Sequence, residues 1–240
     1  MPTTTTKVTA QMSVSLDGFY AGPRDDAADW MESTEAFGFF RVTRWATDAM
    51  AWRERQGFAG GERDTNSDII EETFAAAGAY VMGRRMAEGG EVPWGDEPPF
   101  RAPVFVVTHR PRQTLERLGG TSFTYVTDGL ASAIDQARAV ANGKNVAIAG
   151  GGSIVRQALE AGLLDELELH IAPVVLGRGM RLLGSDLGSD IGAKEGIELI
   201  PTRVVHTPQM THLRYTVTGR APLVLDDRGS GSGPSQLATS

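Results

Sequence analysis

Between residues 7 and 14 the chain alternates, with Val8, Ala10, Met12 and Val14 on one side and Thr9, Gln11 and Ser13 on the other. A period of two marks a strand with one apolar face. Asp17-Gly18 follows at once as a turn signal. The stretch 20–65 changes character, holding Trp30, Trp45 and Trp52 together with Phe37, Phe39, Phe40 and Phe58. Val42, Trp45, Ala49 and Trp52 fall at helical spacing, so this aromatic-rich insertion either packs its stripe on the core or covers a site as a lid. Gly57 to Asn66 reads as a mobile loop. Thr65-Asn66-Ser67-Asp68 reads as a capped helix start, with Ile69, Ile70, Phe74 and Ala77 on the buried side and Gly78 as the stop.

Beyond this point short apolar runs and helical patterns take turns. Ala79–Met82 predicts a strand that ends in Gly83-Arg84-Arg85-Met86, and Gly89 to Pro103 predicts a loop carrying Trp94. A strand at Val104–Val107 ends in Thr108-His109-Arg110, then come a strand at Phe123–Val126 and a helix at Leu130–Ala141. The run Val146–Ala149, three glycines at 150–152, and Ile154, Val155, Ala158 and Leu159 on one helical face form a strand-turn-helix unit closed by Gly162. Leu167, Leu169 and Ile171 alternate with Glu166, Glu168 and His170, which predicts a half-buried strand with His170, and later His212, facing solvent. Ile197–Val205 and Thr211–Val217 predict a closing hairpin, and 221–240 is Gly, Ser and Pro-rich with little to bury, the pattern of a disordered tail. The organisation expected is therefore one domain over 1–220. Its fold class is α/β, a mostly parallel central sheet with helices on both faces and a C-terminal antiparallel hairpin.

Composition narrows the chemistry. With no cysteine, the chain has no disulfide, no thiolate nucleophile and no cysteine-held metal, and no His/Asp/Glu spacing suggests a metal site. A net charge of −7 argues against nucleic acid as a partner. No run approaches the ~20 apolar residues of a membrane span, and MPTTTTKVTAQ lacks the build of a signal peptide. A cytoplasmic protein with a small-molecule substrate is the expectation. In parallel sheets ligands gather beyond the C-terminal strand ends. That rule brings Asp17, Arg84, Arg85, Thr108, His109, Arg110 and Gly150-Gly151-Gly152 into one cleft, with a basic wall and a glycine floor. Glycines let a backbone approach a bulky ligand, and a helix start attracts an anion. The run is neither G-x-G-x-x-G, since 155 is valine, nor a P-loop. It is a phosphate or pyrophosphate site or only a tight turn. Asp17 is likewise a turn former or a working carboxylate.

Taken in order, Met12-Ser13-Val14-Ser15-Leu16-Asp17-Gly18, Val81-Met82-Gly83-Arg84-Arg85, Val107-Thr108-His109-Arg110, Ile148-Ala149-Gly150-Gly151-Gly152-Ser153 and Pro173-Val174-Val175-Leu176-Gly177-Arg178-Gly179 resemble the dihydrofolate reductase superfamily. Within it they resemble the branch of the reductase domain of bacterial riboflavin biosynthesis, over roughly residues 7 to 218. The resemblance implies an NADPH-dependent reductase. By it, Gly83, Arg84 and Arg85 face the cofactor phosphates, Thr108, His109 and Arg110 lie near the adenosine 2′-phosphate, and Gly150, Gly151, Gly152, Ser153 and Ile154 hold the pyrophosphate. Asp17, Trp94, Gly177, Arg178 and Gly179 are the implied substrate-side residues, with Asp17 the catalytic candidate. A homodimer is implied as well. Two departures stand out. The substrate-gripping carboxylate of folate enzymes has only Asp68 as a loose counterpart, and the insertion at 20–65 has no place in a minimal folate enzyme. A pteridine, a pyrimidine or another carbonyl-like compound remains open as substrate. So do a non-catalytic nucleotide-binding protein of the same fold and a doubly wound transferase.

Overall fold

A computed structural model describes residues 6–23, 37–184 and 195–222. Along the chain the elements are β1 (Val8–Ser15), β2 (Phe19–Ala21), α1 (Phe37–Asp48), α2 (Met50–Arg55), α3 (Thr65–Ala76), β3 (Ala77–Gly83), α4 (Arg84–Trp94) and β4 (Pro103–Val107). They continue with β5 (Leu115–Glu116), β6 (Ser122–Val126), α5 (Leu130–Val140), β7 (Asn145–Ile148), α6 (Gly152–Glu160), β8 (Glu166–Ala172), β9 (Met180–Arg181), β10 (Glu195–His206) and β11 (Thr211–Pro222). Nine strands form one sheet in the order β10-β11-β8-β1-β7-β3-β4-β6-β5. The six from β8 to β6 are parallel, and β11, β10 and β5 add antiparallel pairing at the edges. The expected fold class is the one found.

The alternation in β1 sorts the molecule into two layers. Val8, Ala10, Met12 and Val14 pack with Ile134, Ala137, Val155 and Leu159 of α5 and α6. The opposite face carries α1, α3 and α4, whose Val42, Trp45, Ile69, Phe74 and Trp94 pack with Tyr80, Met82, Val104 and Val106. Thr9, Gln11 and Ser13 face this second layer, where a cavity opens between β1 and the helices.

Several expectations change. The segment Gly89–Trp94, read as loop, is the second half of α4: Trp94 folds back over Gly90, where any Cβ would collide with its ring. The cap of α3 is Asp64, one residue upstream of the stretch proposed, with its carboxylate accepting the Ser67 N–H at 2.9 Å. Gly78 does not stop α3. It lies in β3, where a Cβ would run into the Ala141 carbonyl. His170 and His212 do not face solvent: they are 2% and 1% exposed, because β8 is covered on both faces rather than one. The insertion contributes β2, α1 and α2, so its stripe is core, and Trp45 lines the cavity as well. β11 runs through Pro222, two residues into the stretch read as tail. Trp30 and residues 223–240 lie outside the described residues.

Candidate active site

Three helices start at one place. α4, α5 and α6 have Gly83, Gly129 and Gly151 as N-caps, and none of the three is capped by a side chain. All three glycines line a single cavity of about 780 Å³. A helix leaves its first N–H groups without intrahelical partners, and the positive end of its dipole favours an anion. α3, by contrast, has its Ser67 N–H met by the Asp64 carboxylate. Convergence of uncapped helix starts at the C-terminal ends of β3, β6 and β7 makes this end of the cavity suited to phosphate groups.

The glycine floor is built from three unlike residues. Gly150 has φ +107°, a conformation L side chains rarely adopt, and its carbonyl accepts the Gly83 N–H at 3.0 Å, tying the turn to β3. Gly151 has an ordinary φ of −84°, and a Cβ there would meet nothing within 4 Å. Gly152 lies under the Tyr20 ring, which leaves no room for a Cβ. Ser153 and Ile154 complete the lining, and Ile154 packs against Gly83. Arg84 and Arg85 stand at the same end. Arg84 pairs with Glu88 one helical turn on, and Arg85 is exposed. Thr108 is buried, with its hydroxyl accepting the Arg110 N–H at 3.0 Å. Thr108 and His109 line the cavity, whereas Arg110 is exposed and is not among its lining residues.

Asp17 and the turn at 177–179 form a separate structure. The Asp17 carboxylate accepts the Ser15 hydroxyl at 2.6 Å and the N–H groups of Leu176 and Gly177 at 3.1 and 2.7 Å. The Ser15 hydroxyl first, then these two N–H groups, hold its pKa down at about 2, against a raising effect of desolvation. Gly179 passes so close to the Ala21 carbonyl that no Cβ fits, which lets β9 pair with β2. Asp17, Gly177, Arg178 and Gly179 do not line the cavity; Met180 beside them does. Asp68 is exposed on α3, and the residues that α3 turns to the cavity are Ile70, Glu72, Thr73, Phe74 and Ala76.

At its other end the cavity is aromatic, with Phe39, Trp45, Trp52, Phe74, Tyr80 and Phe100, and with Trp94 packed edge-on to Phe100. Its polar wall is largely self-satisfied. Gln11 donates to Thr73 at 2.7 Å and to Glu168 at 3.2 Å, Arg214 reaches Glu168 at 2.9 Å and Glu72 at 2.8 Å, and Trp45 donates to Ser13 at 2.9 Å. Glu166, also on this wall, pairs with Lys7. Burial raises the Glu168 pKa, and Arg214 pulls the other way. These residues are missing from the sequence-based set, as are Gly129, Tyr20 and Met180. The one available signal was the period-two pattern, which already grouped Thr9, Gln11 and Ser13 on one face.

A family model of the RibD C-terminal domain matches residues 6–206. No curated protein matches the chain. Among solved structures, a protein ascribed to riboflavin biosynthesis from Shewanella sp. PV-4 aligns with TM-score 0.61 at 19% identity, covering 88% of this chain and 98% of that one. Two forms of Acinetobacter baumannii RibD align with TM-scores of 0.54 and 0.51 at 15% and 16% identity, each over 91% of this chain but only 60% and 59% of theirs. At such identities the structures speak for the fold. The family match spans most of the chain and agrees with the motifs read from the sequence. The protein belongs to the RibD C-terminal domain family, and that membership supports a reductase-like function, that of an oxidoreductase.

Proposed function

We propose that the protein is an NADPH-dependent reductase that passes a hydride to a small pteridine-, pyrimidine- or carbonyl-type substrate, acting as one unit over residues 1–220 and as a homodimer. The observation that carries this reading is the meeting of three uncapped helix starts, with Arg84 and Arg85, at one end of a cavity whose other end is aromatic. The donor set fits a dinucleotide phosphate: backbone N–H groups and guanidinium groups are the usual partners of phosphate oxygens. The open space above Gly151 fits it as well. In this reading Gly83, Gly129 and Gly150 to Ile154 hold the pyrophosphate, and Arg84, Arg85, Thr108 and His109 hold further phosphate. NADPH supplies the hydride, while the protein supplies position and electrostatics. The aromatic end excludes water and orients a planar substrate. Asp17 acts as a brace for the 174–177 loop, since its oxygens are taken by that loop.

A second reading, a nucleotide-binding protein without turnover, draws on one observation. Each described carboxylate lining the cavity is paired with a cation: Glu72 with Arg203 and Arg214, Glu166 with Lys7, and Glu168 with Arg214. None of the three is then free to deliver the proton that accompanies hydride transfer. Binding of NADPH followed by fluorescence, and its oxidation followed by nicotinamide absorbance against a panel of pterins, pyrimidines and aldehydes, separates the readings. Oxidation with one panel member is the expected result. Binding without oxidation favours the second reading, and no NADPH binding rejects both.

A further inference from the structure

Two buried polar atoms among the described residues have no hydrogen-bond partner, the Tyr80 hydroxyl and His170 Nε2, and both residues line the cavity. The phenol can rotate to donate or accept, and burial pushes its pKa up to about 12, so it discriminates little. His170 is different, because a chain of hydrogen bonds decides which of its nitrogens carries the proton.

The chain starts at the cap of α3. Asn66, 3% exposed, donates from its amide nitrogen to the Asp64 carboxylate at 3.1 Å and to Gln209 at 3.3 Å. A carboxylate that only accepts fixes the orientation of that amide, so Asn66 Oδ1 must be the acceptor on the other side. There it takes the Thr207 hydroxyl at 3.1 Å and lies 3.0 Å from His212 Nε2. His212 Nε2 must therefore bear the proton, which in a neutral ring leaves Nδ1 as the acceptor. His212 Nδ1 is 2.8 Å from His170 Nδ1, so His170 must donate there, and its own Nε2 is left as a bare lone pair. Both rings stay neutral. Burial, with the neighbouring His212 and Arg214, pushes the His170 pKa well below its ordinary value; burial and Arg203 bring His212 to about 4. Because Nδ1 turns to His212 of β11, Nε2 lies on the side of the ring away from His212. The Trp45 ring packs against the His170 ring with centroids 4.4 Å apart.

We infer that His170 is a specificity-determining residue of the cavity, presenting an acceptor-only Nε2, and that the occupant it selects is a neutral planar heterocycle with an N–H or O–H donor directed at that atom. Asn66 and His212 are positioning residues that set this polarity. The inference takes from the proposed reductase function only that this end of the cavity holds the substrate. Its test needs neither NADPH nor turnover, so the two readings fail separately.

Long-range ¹H–¹⁵N spectra of the full chain read histidine tautomers directly. Nδ1–H with unprotonated Nε2 is expected at His170, and Nε2–H at His212. In Asn66→Ala the two rings should lose this fixed order while circular dichroism stays that of the folded protein. An Nε2–H tautomer or an imidazolium at His170 in the wild type overturns the inference whether or not the variant folds. For recognition, indole and benzofuran serve as a matched pair, alike in shape but with N–H replaced by oxygen. Indole should bind about three- to tenfold more tightly by ligand-observed NMR, the worth of one neutral hydrogen bond. The preference should vanish in His170→Phe. Equal binding, binding of neither, or a preference that survives His170→Phe overturns the recognition role, as does a water at Nε2 that indole does not displace.

Discussion

Gly150 and Gly151 are neighbours with opposite constraints, and substitution separates them. At Gly150 the φ of +107° opposes any L side chain, so Gly150→Ala should cost stability, on the order of 1–3 kcal/mol, as a drop in the unfolding midpoint. At Gly151 the backbone is ordinary and the added atoms enter open space, so Gly151→Val should keep its melting temperature. If the cavity holds the cofactor pyrophosphate, that same variant should lose NADPH affinity about tenfold or more, since the valine occupies the ligand's place. Unchanged affinity in the folded variant would remove the glycine floor from the site. Asp17 carries a pH signature. Its folded pKa of about 2 lies below the ordinary value of 3.8, so its contribution to stability is present above that higher value and is lost as pH falls toward 2. Melting temperatures across that acid window should fall less steeply in Asp17→Asn than in the wild type. At neutral pH the variant should also be less stable, because an amide nitrogen cannot accept the N–H that one carboxylate oxygen now takes. For the local turn alone asparagine would serve as well as aspartate. What differs is the contact with residues 176 and 177, more than 150 positions away.

At the scale of elements, local pattern was legible and long-range cover was not. β1 alternates because one face meets α5 and α6, and the polar face it predicted is the wall of the cavity. β8 shows the same alternation, yet its polar side is buried under α1 and between β1 and β11. Nothing in seven residues tells a solvated polar face from a hydrogen-bonded buried one. The same holds for Gly129: it directly precedes the helix read at Leu130–Ala141, and only the fold brings that helix start to the cavity. Gly89, Gly90 and Pro93 are poor helix formers and favour a loop around Trp94. Tertiary packing of Trp94 with Phe100 and Phe123 outweighs that preference. The buried polar side of β8 yields its own prediction. Glu168, 4% exposed, depends on Arg214 for its charge, and Arg214 bridges on to Glu72 of α3. Arg214→Met should destabilise the fold by ~3–5 kcal/mol, because it strands a buried carboxylate. Adding Glu168→Gln should recover most of that loss in denaturant titrations, since a neutral amide still accepts from Gln11. No recovery would mean that Arg214 acts through Glu72 and packing instead.

For the whole molecule, the sheet ends unequally. On one side β5 is two residues long, while on the other β10 runs for twelve and carries Ile200 and Val204 at 53% and 66% exposure. A long edge strand with exposed apolar side chains is a surface that soluble proteins cover or pair. Two features decide how. Pro201 lacks an N–H, and the β10–β11 ladder shifts register at 198/199 and 201/203, so the edge is poorly made for continuing the sheet into another copy. The apolar side chains remain, and they favour contact through the strand's side chains over strand-to-strand pairing. The register shift at 201/203 puts Ile200 and Val204 on opposite faces of the sheet, so a homodimer formed in this way should wrap the edge and bury both, and charge placed there should be costly. Sedimentation velocity at micromolar concentration should therefore show a dimer for the wild type and a monomer for the Ile200→Lys, Val204→Lys double variant, with unchanged circular dichroism. Pro201→Ala, which restores a backbone donor, should leave the dimer as it is. Were Pro201→Ala to drive larger assemblies, the edge itself would be the associating surface and the proline its guard. A wild type that sediments as a monomer throughout would leave Ile200 and Val204 without a partner and end the dimer proposal.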